Sequence, residues 1–148
     1  MVQSAIQKLD TSKAPGPDNI NNHLPCARKR GGGVALVHAS PITVLSFKDV
    51  SGAAHEGFLA SLSWLHHTMT VLGVYRPPGS SIPTFMDEFS ELLGNTLTNH
   101  SNLLIAGDFN LHMDVPTDPH ATRLTTLLND VNFCSAYSRT HAHQRPYA

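Results

Sequence analysis

Asp108 and Asn110 stand two residues apart in the stretch Asn102 to Asp114, which reads NLLIAGDFNLHMD. In extended backbone alternate side chains share a face, so the two point the same way and Phe109 points back into a core. An ionised aspartate only accepts hydrogen bonds. It can therefore hold a hard cation or take a proton from water. An asparagine offers N–H donors to developing negative charge and a carbonyl oxygen to a metal. Side by side at a strand end, the pair suits phosphate chemistry. Gly107, with no side chain, lets another group approach closely. Both Asp and Asn also favour turns, and on spacing alone the plainer role, shaping the turn that ends a strand, is the stronger.

The elements that must position this pair are readable in outline. Leu103, Leu104, Ile105 and Ala106 are apolar without alternation, which predicts a short central strand buried on both faces. Upstream, Gly31-Gly32-Gly33 is a hinge feeding a strand from Val34 to Val37, and Ala39-Ser40-Pro41 is a turn. Ile42 to Phe47 follows, with Ile42 and Val44 on one face and Leu45 and Phe47 on the other. The short connection predicts that these two strands pair antiparallel. Strands from about Glu56 to Leu65 and from Met69 to Tyr75 complete a meander.

A helix then starts near Pro83, with Thr84 and Asp87 or Glu88 resembling a capping arrangement. Phe85, Phe89, Leu92, Leu93 and Thr96 or Leu97 form one apolar face, and Gly94 weakens its end. A second helix begins at Asp118 and Pro119, with Ala121, Leu124, Leu127, Leu128 and Val131 inward. Val131 to Tyr137 reads as a further strand. Residues 1–30, interrupted by Pro15, Pro17 and Pro25, read as a flexible N-terminal arm before a domain spanning 31–148.

Composition bounds the function. The 148 residues suffice for one domain with a sizeable core. A net charge of −1 supplies no global basic field to recruit nucleic acid. Arg28-Lys29-Arg30 is the one basic cluster, and three adjacent charges are ordinarily a solvated linker. No apolar run approaches a membrane span and the N-terminus lacks a signal-peptide core, so the expectation is an intracellular protein without a membrane partner. Cys26 and Cys134 have no finger or disulfide-framework spacing. The ten histidines, including His66-His67 and His141/His143, form no HExxH set and read mostly as surface residues.

Leu104-Ile105-Ala106-Gly107-Asp108-Phe109-Asn110-Leu111-His112 resembles the GDFN motif of the endonuclease/exonuclease/phosphatase family. The version in non-LTR (LINE-type) retrotransposon endonucleases is the most similar. Val74-Tyr75-Arg76-Pro77-Pro78-Gly79 resembles the family's strand-ending Tyr-x-Pro segment, and Thr140-His141 its later Thr-His segment. The resemblance runs from about Gly31 to Ala148. Residues 9–20, with Lys13-Ala14-Pro15-Gly16-Pro17-Asp18, resemble the start of the reverse-transcriptase region of the same elements, and no polymerase carboxylate motif follows.

The resemblance implies an α/β fold, here a partial four-layer α/β sandwich of two packed sheets covered by helices. It implies metal-dependent phosphodiester hydrolysis, with DNA as the substrate and the nucleus as the place of action on genomic DNA. Asp108 would deprotonate the attacking water. Asn110 would stabilise phosphoryl charge and, with Asp108, hold Mg²⁺ or Mn²⁺. Tyr75 would hydrogen-bond the phosphate, and His112 and His141 would touch DNA. Tyr75 and Asp108 should end neighbouring strands and open into one cleft.

The family's early Asn and its metal-binding Glu have no counterpart upstream of Gly31, and Glu56, in His-Glu-Gly-Phe, resembles the family's structural Glu. The closing Asp-His or Ser-His pair is likewise unmatched. The expectation is a domain truncated at both ends, binding Mg²⁺ weakly with little or no cleavage. The alternative is a non-catalytic relic that binds a metal or a partner at most. The oligomeric state is left open.

Overall fold

A computed structural model describes Cys26–Ala27, 33–115 and 117–133. Two compact units divide the chain after Asn110. The first holds a four-stranded mixed sheet and a helix, so the α/β class stands. Its strands are β1 (Cys26–Ala27), β2 (Val34–Ala35), β3 (Thr43–Asp49), β4 (Glu56–Trp64), β5 (His67–Tyr75) and β6 (Leu103–Asp108), with helix α1 (Ile82–Asn99) between β5 and β6. The sheet order is β3-β4-β5-β6. β3, β4 and β5 form the antiparallel meander, and β6 pairs parallel to β5. A parallel neighbour needs a crossover, which α1 provides.

One sheet face carries an aromatic and aliphatic cluster over β3, β4 and part of β5. Phe58, Ala60, Leu62 and Val71 are buried there, with Val34, Leu36, Ile42, Val44 and Phe47 packed on them. Phe47 and Phe58 stack at 5.1 Å between ring centroids. This packing corrects the expected pairing of the first two strands. β2 pairs antiparallel with β1 and belongs to a separate two-stranded sheet. Carrying Val34 and Leu36 onto the Phe58 cluster buries apolar surface that pairing along the edge of β3 would leave in water. Pro41, lacking an N–H, does not extend a ladder between them.

The expected alternation in β3 is also corrected. The register slips between Val44 and Ser46, so Val44 opposes Leu62 and Phe47 opposes Ala60. The extra residue of this bulge is Leu45, which is 58% exposed. A bulge places residues three apart on one face, which is why Val44 and Phe47 both reach the core.

The other face meets α1. Phe85, Met86, Phe89, Leu93 and Thr96 are buried along one side of the helix at three- and four-residue steps. Leu72 and Val74 of β5 are fully buried. Ser81, and not Thr84, is the N-cap: its side chain accepts from the backbone N–H of Thr84, and Pro83 sits in the first turn where no intrahelical donor is needed. Gly94 does not end the helix, which continues to Asn99.

Glu88 serves the packing of α1 against the loop before β4. Its carboxylate accepts from the backbone N–H groups of Ala53 and Ala54 and meets His55 Nδ1 at 2.9 Å. The other ring nitrogen of His55 faces the Val50 carbonyl at 3.0 Å. Burial works to raise the Glu88 pKa. The two backbone donors and His55 outweigh it and hold the carboxyl below its ordinary value of 4.5.

The second unit contains α2 (Pro119–Asp130), capped by Asp118, whose carboxylate accepts from the N–H groups of His120 and Ala121. Ala121 and Leu124 are buried; Leu127 and Leu128 are half-buried. Val131 and Asn132 form a turn, Asn132 with φ of 59°, in place of the start of the expected strand; the rest of that strand lies outside the described residues. Within the expected arm, Cys26–Ala27 is strand β1, and the remainder of 1–30 lies outside the described residues. Among the described residues no helix is long and apolar enough to cross a membrane.

Candidate active site

β6 runs from Leu103 through Asp108, two residues beyond the apolar run, and lies at the edge of the described sheet instead of at its centre. The expectation of burial on both faces is corrected with it. Leu103 and Ile105 are half-buried, while Leu104 is 48% exposed and Ala106 is exposed.

The parallel register of β5 and β6 sets Tyr75 directly opposite Asp108. Neighbouring strands lie about 4.8 Å apart and paired residues share a face, so the two side chains leave the sheet together. Gly107 permits this closeness, since a Cβ there would collide with the Val74 carbonyl oxygen. Phe109, one residue on, turns the other way. Its ring lies 5.5 Å from Phe89 and 6.0 Å from Phe85 between centroids. That anchor of three aromatic rings fixes where the chain leaves β6 and therefore where Asp108 sits.

Asn110 takes a different position from a simple continuation of the strand. Its φ is 48°, in the left-handed region that asparagine tolerates better than most residues. Its N–H donates to Asp108 Oδ1 at 2.9 Å, an Asx-type turn, and its side-chain amide donates to the Arg76 carbonyl at 2.7 Å. The turn-shaping role and a chemical role thus coexist in the same pair. Among the described residues Asp108 Oδ2 and the Asn110 side-chain oxygen have no hydrogen-bond partner.

Arg76 is the residue that spacing did not reveal. It is 4% exposed, and its guanidinium donates to the carbonyls of Phe109 at 2.6 Å, Ser80 at 3.0 Å and Asn110 at 2.5 Å. Its backbone N–H donates to the Asp108 carbonyl at 2.9 Å. A buried cation satisfied by neutral carbonyls binds the Tyr75 loop to the Asp108 loop and leaves positive charge behind the pair. The only signal in the sequence was an arginine directly after the strand-ending tyrosine.

His112 belongs to the second unit and is exposed. There the N–H of Ala121 does most to hold Asp118 below its ordinary pKa, against the cost of desolvation. The N–H of His120 and the charges of His120 and His112 add to it. His141 lies outside the described residues.

The donors around Asp108 are oxygens, the ligand type of Mg²⁺. Among the described residues no group of three or more His, Cys, Asp or Glu converges. Mg²⁺ is characteristically held by one or two carboxylates with waters and substrate oxygens making up the rest, so this donor set fits it. Glu56, at the start of β4, lies at the same end of the sheet, opposite Tyr75. It is 4% exposed, and its Oε2 has no partner among the described residues. Such an orphaned buried oxygen costs about 1–3 kcal/mol. No protein-family profile, curated protein or solved structure matches the chain.

Proposed function

We propose that this chain carries the site of a Mg²⁺-dependent phosphodiesterase, with DNA nicking as the reaction. The observation that supports this best is the direct pairing of Tyr75 with Asp108 at the ends of two parallel strands. Asp108 accepts the proton of an attacking water through Oδ2, its Oδ1 being held by the Asn110 N–H. Tyr75 donates its hydroxyl to a phosphate oxygen. Asn110 offers its side-chain oxygen to the cation while its amide grips Arg76. The Arg76 guanidinium, fixed by the loop carbonyls, adds positive charge where the phosphate gains negative charge. A bound Mg²⁺ supplies further Lewis-acid charge at the phosphoryl oxygens.

A supercoiled-plasmid assay tests the reading. With Mg²⁺ the chain produces slow nicking that stops in EDTA, and Asp108→Ala lowers the rate by about 10²–10⁴, the range for losing a general base. A rate equal to that of Asp108→Ala would leave a fold that binds without catalysing.

A further inference from the structure

Glu56 is a buried carboxylate at this end of the sheet that the proposed chemistry does not use. It opens β4, where the register sets it opposite Tyr75, and Tyr75 is opposite Asp108. Paired residues share a face, so Glu56, Tyr75 and Asp108 form one row across three adjacent strands. The backbones of the two acids stand about 10 Å apart, two inter-strand spacings, with the tyrosine between. A cation with flexible coordination would be within the combined reach of a glutamate and an aspartate at that spacing, with water completing its ligands.

The charges around the row sharpen the point. Arg76, the buried cation next along β5, spends its donors on the carbonyls of Phe109, Ser80 and Asn110. Lys48 of β3 is exposed and opposes Leu59, whose side chain alternates away from the row. His55 is engaged with Glu88 and Val50. Buried carboxylates are ordinarily paired with a cation or coordinate a metal, and among the described residues Glu56 Oε2 meets no protein cation.

We infer that Glu56 is the second carboxylate of a divalent-cation site that it shares with Asp108 across Tyr75. The inference deepens the phosphodiesterase reading and rests on its choice of site. It gives Glu56 a role different from the structural one that the resemblance implies. It would also supply the second negative charge that Asp108 and a neutral Asn110 lack.

The test is a titration of the full chain with Mn²⁺ alone, followed by the electron paramagnetic resonance signal of the free ion. Glu56→Gln and Asp108→Asn each weaken binding at least tenfold, with far-UV circular dichroism reporting that each variant is folded. Unchanged affinity in Glu56→Gln, or no Mn²⁺ binding by the unaltered chain, overturns the inference. A second measurement needs no variant: in the unaltered chain, sub-stoichiometric Mn²⁺ broadens the backbone amide signals of Glu56 and Gly57 together with those of Gly107 to Phe109. Broadening confined to the Asp108 loop overturns the inference. The two readings also fail separately. Cation binding that needs both acids without any nicking removes the phosphodiesterase. Nicking that needs Asp108, with Mn²⁺ affinity indifferent to Glu56, removes the shared site.

Discussion

The two faces of the sheet are finished to different degrees. On the helix side Phe85, Phe89 and Phe109 interlock, Leu72 and Val74 are fully buried, and Glu88 is met by two backbone donors and a histidine. On the opposite face the Phe58 cluster covers the sheet only as far as β5. Toward β6 that face exposes Met69 at 41% and Leu104 at 48%. The acidic row lies on this second face, with a buried oxygen of Glu56 left unpaired. The difference separates the side that is packed from the side that carries the proposed site. Closely packed rings on one side fix the backbone, and the site groups project from the other, where local rules of burial and pairing are broken.

The largest effect expected from this contrast is at Phe89. Its ring is fully buried and stands 5.5 Å from both Phe85 and Phe109. Phe89→Ala removes the middle of the three and leaves a cavity, at a cost of about 3–5 kcal/mol. Urea denaturation followed by circular dichroism checks it. Because Phe109 follows Asp108 directly, the same change loosens the loop that carries the site. A loss under about 1 kcal/mol would mean that the helix side is not the rigid one.

The rings were legible in the sequence because their signal is local. Phe85 and Phe89 recur at a helical step, and Phe109 lies one residue out of phase with Asp108. That Tyr75 and Asp108 end neighbouring strands was expected from the resemblance, and the helix between the two apolar runs is the crossover that their parallel pairing needs. What the sequence hid depends on partners distant along the chain. The place of Val34 and Leu36 was set by the Phe58 cluster and not by their nearest strand. The bulge at Leu45 reversed a face without leaving any glycine or proline to mark it. Arg76 and Glu56 gained meaning only from the carbonyls and the row around them, which no spacing encodes.

An intermediate effect is expected at Glu88, and pH sharpens it. The Glu88 carboxyl is held below its ordinary value, so its ionised form is favoured by folding. A group of this kind adds stability above its unfolded pKa, and the contribution is lost as pH falls through the lower folded value. Thermal melts from pH 7 down through the carboxylate range should therefore show the unaltered chain losing more stability than Glu88→Gln. At neutral pH the substitution costs about 1–2 kcal/mol, the lower part of the range for hydrogen bonds to a charged group, since the side chain is partly exposed. Parallel pH profiles for the two proteins would show that the Ala53, Ala54 and His55 contacts do not favour the charged form.

The smallest effect is expected at Leu104, on the less finished face. It opposes Val71 in the register, and Val71 is buried at the margin of the Phe58 cluster. Leu104 itself is half in water, so replacing it by lysine removes little buried apolar surface. The lysine stem can lie over Val71 while its ammonium stays solvated. A charge on an edge strand also discourages pairing with another chain. Leu104→Lys should accordingly change stability by no more than about 0.5 kcal/mol and leave Mn²⁺ affinity at the Glu56–Asp108 row within a few-fold of the unaltered chain. A denaturation loss of about 2 kcal/mol or more would show that this face is packed in solution as tightly as the helix side, and the contrast between the two faces would then be gone.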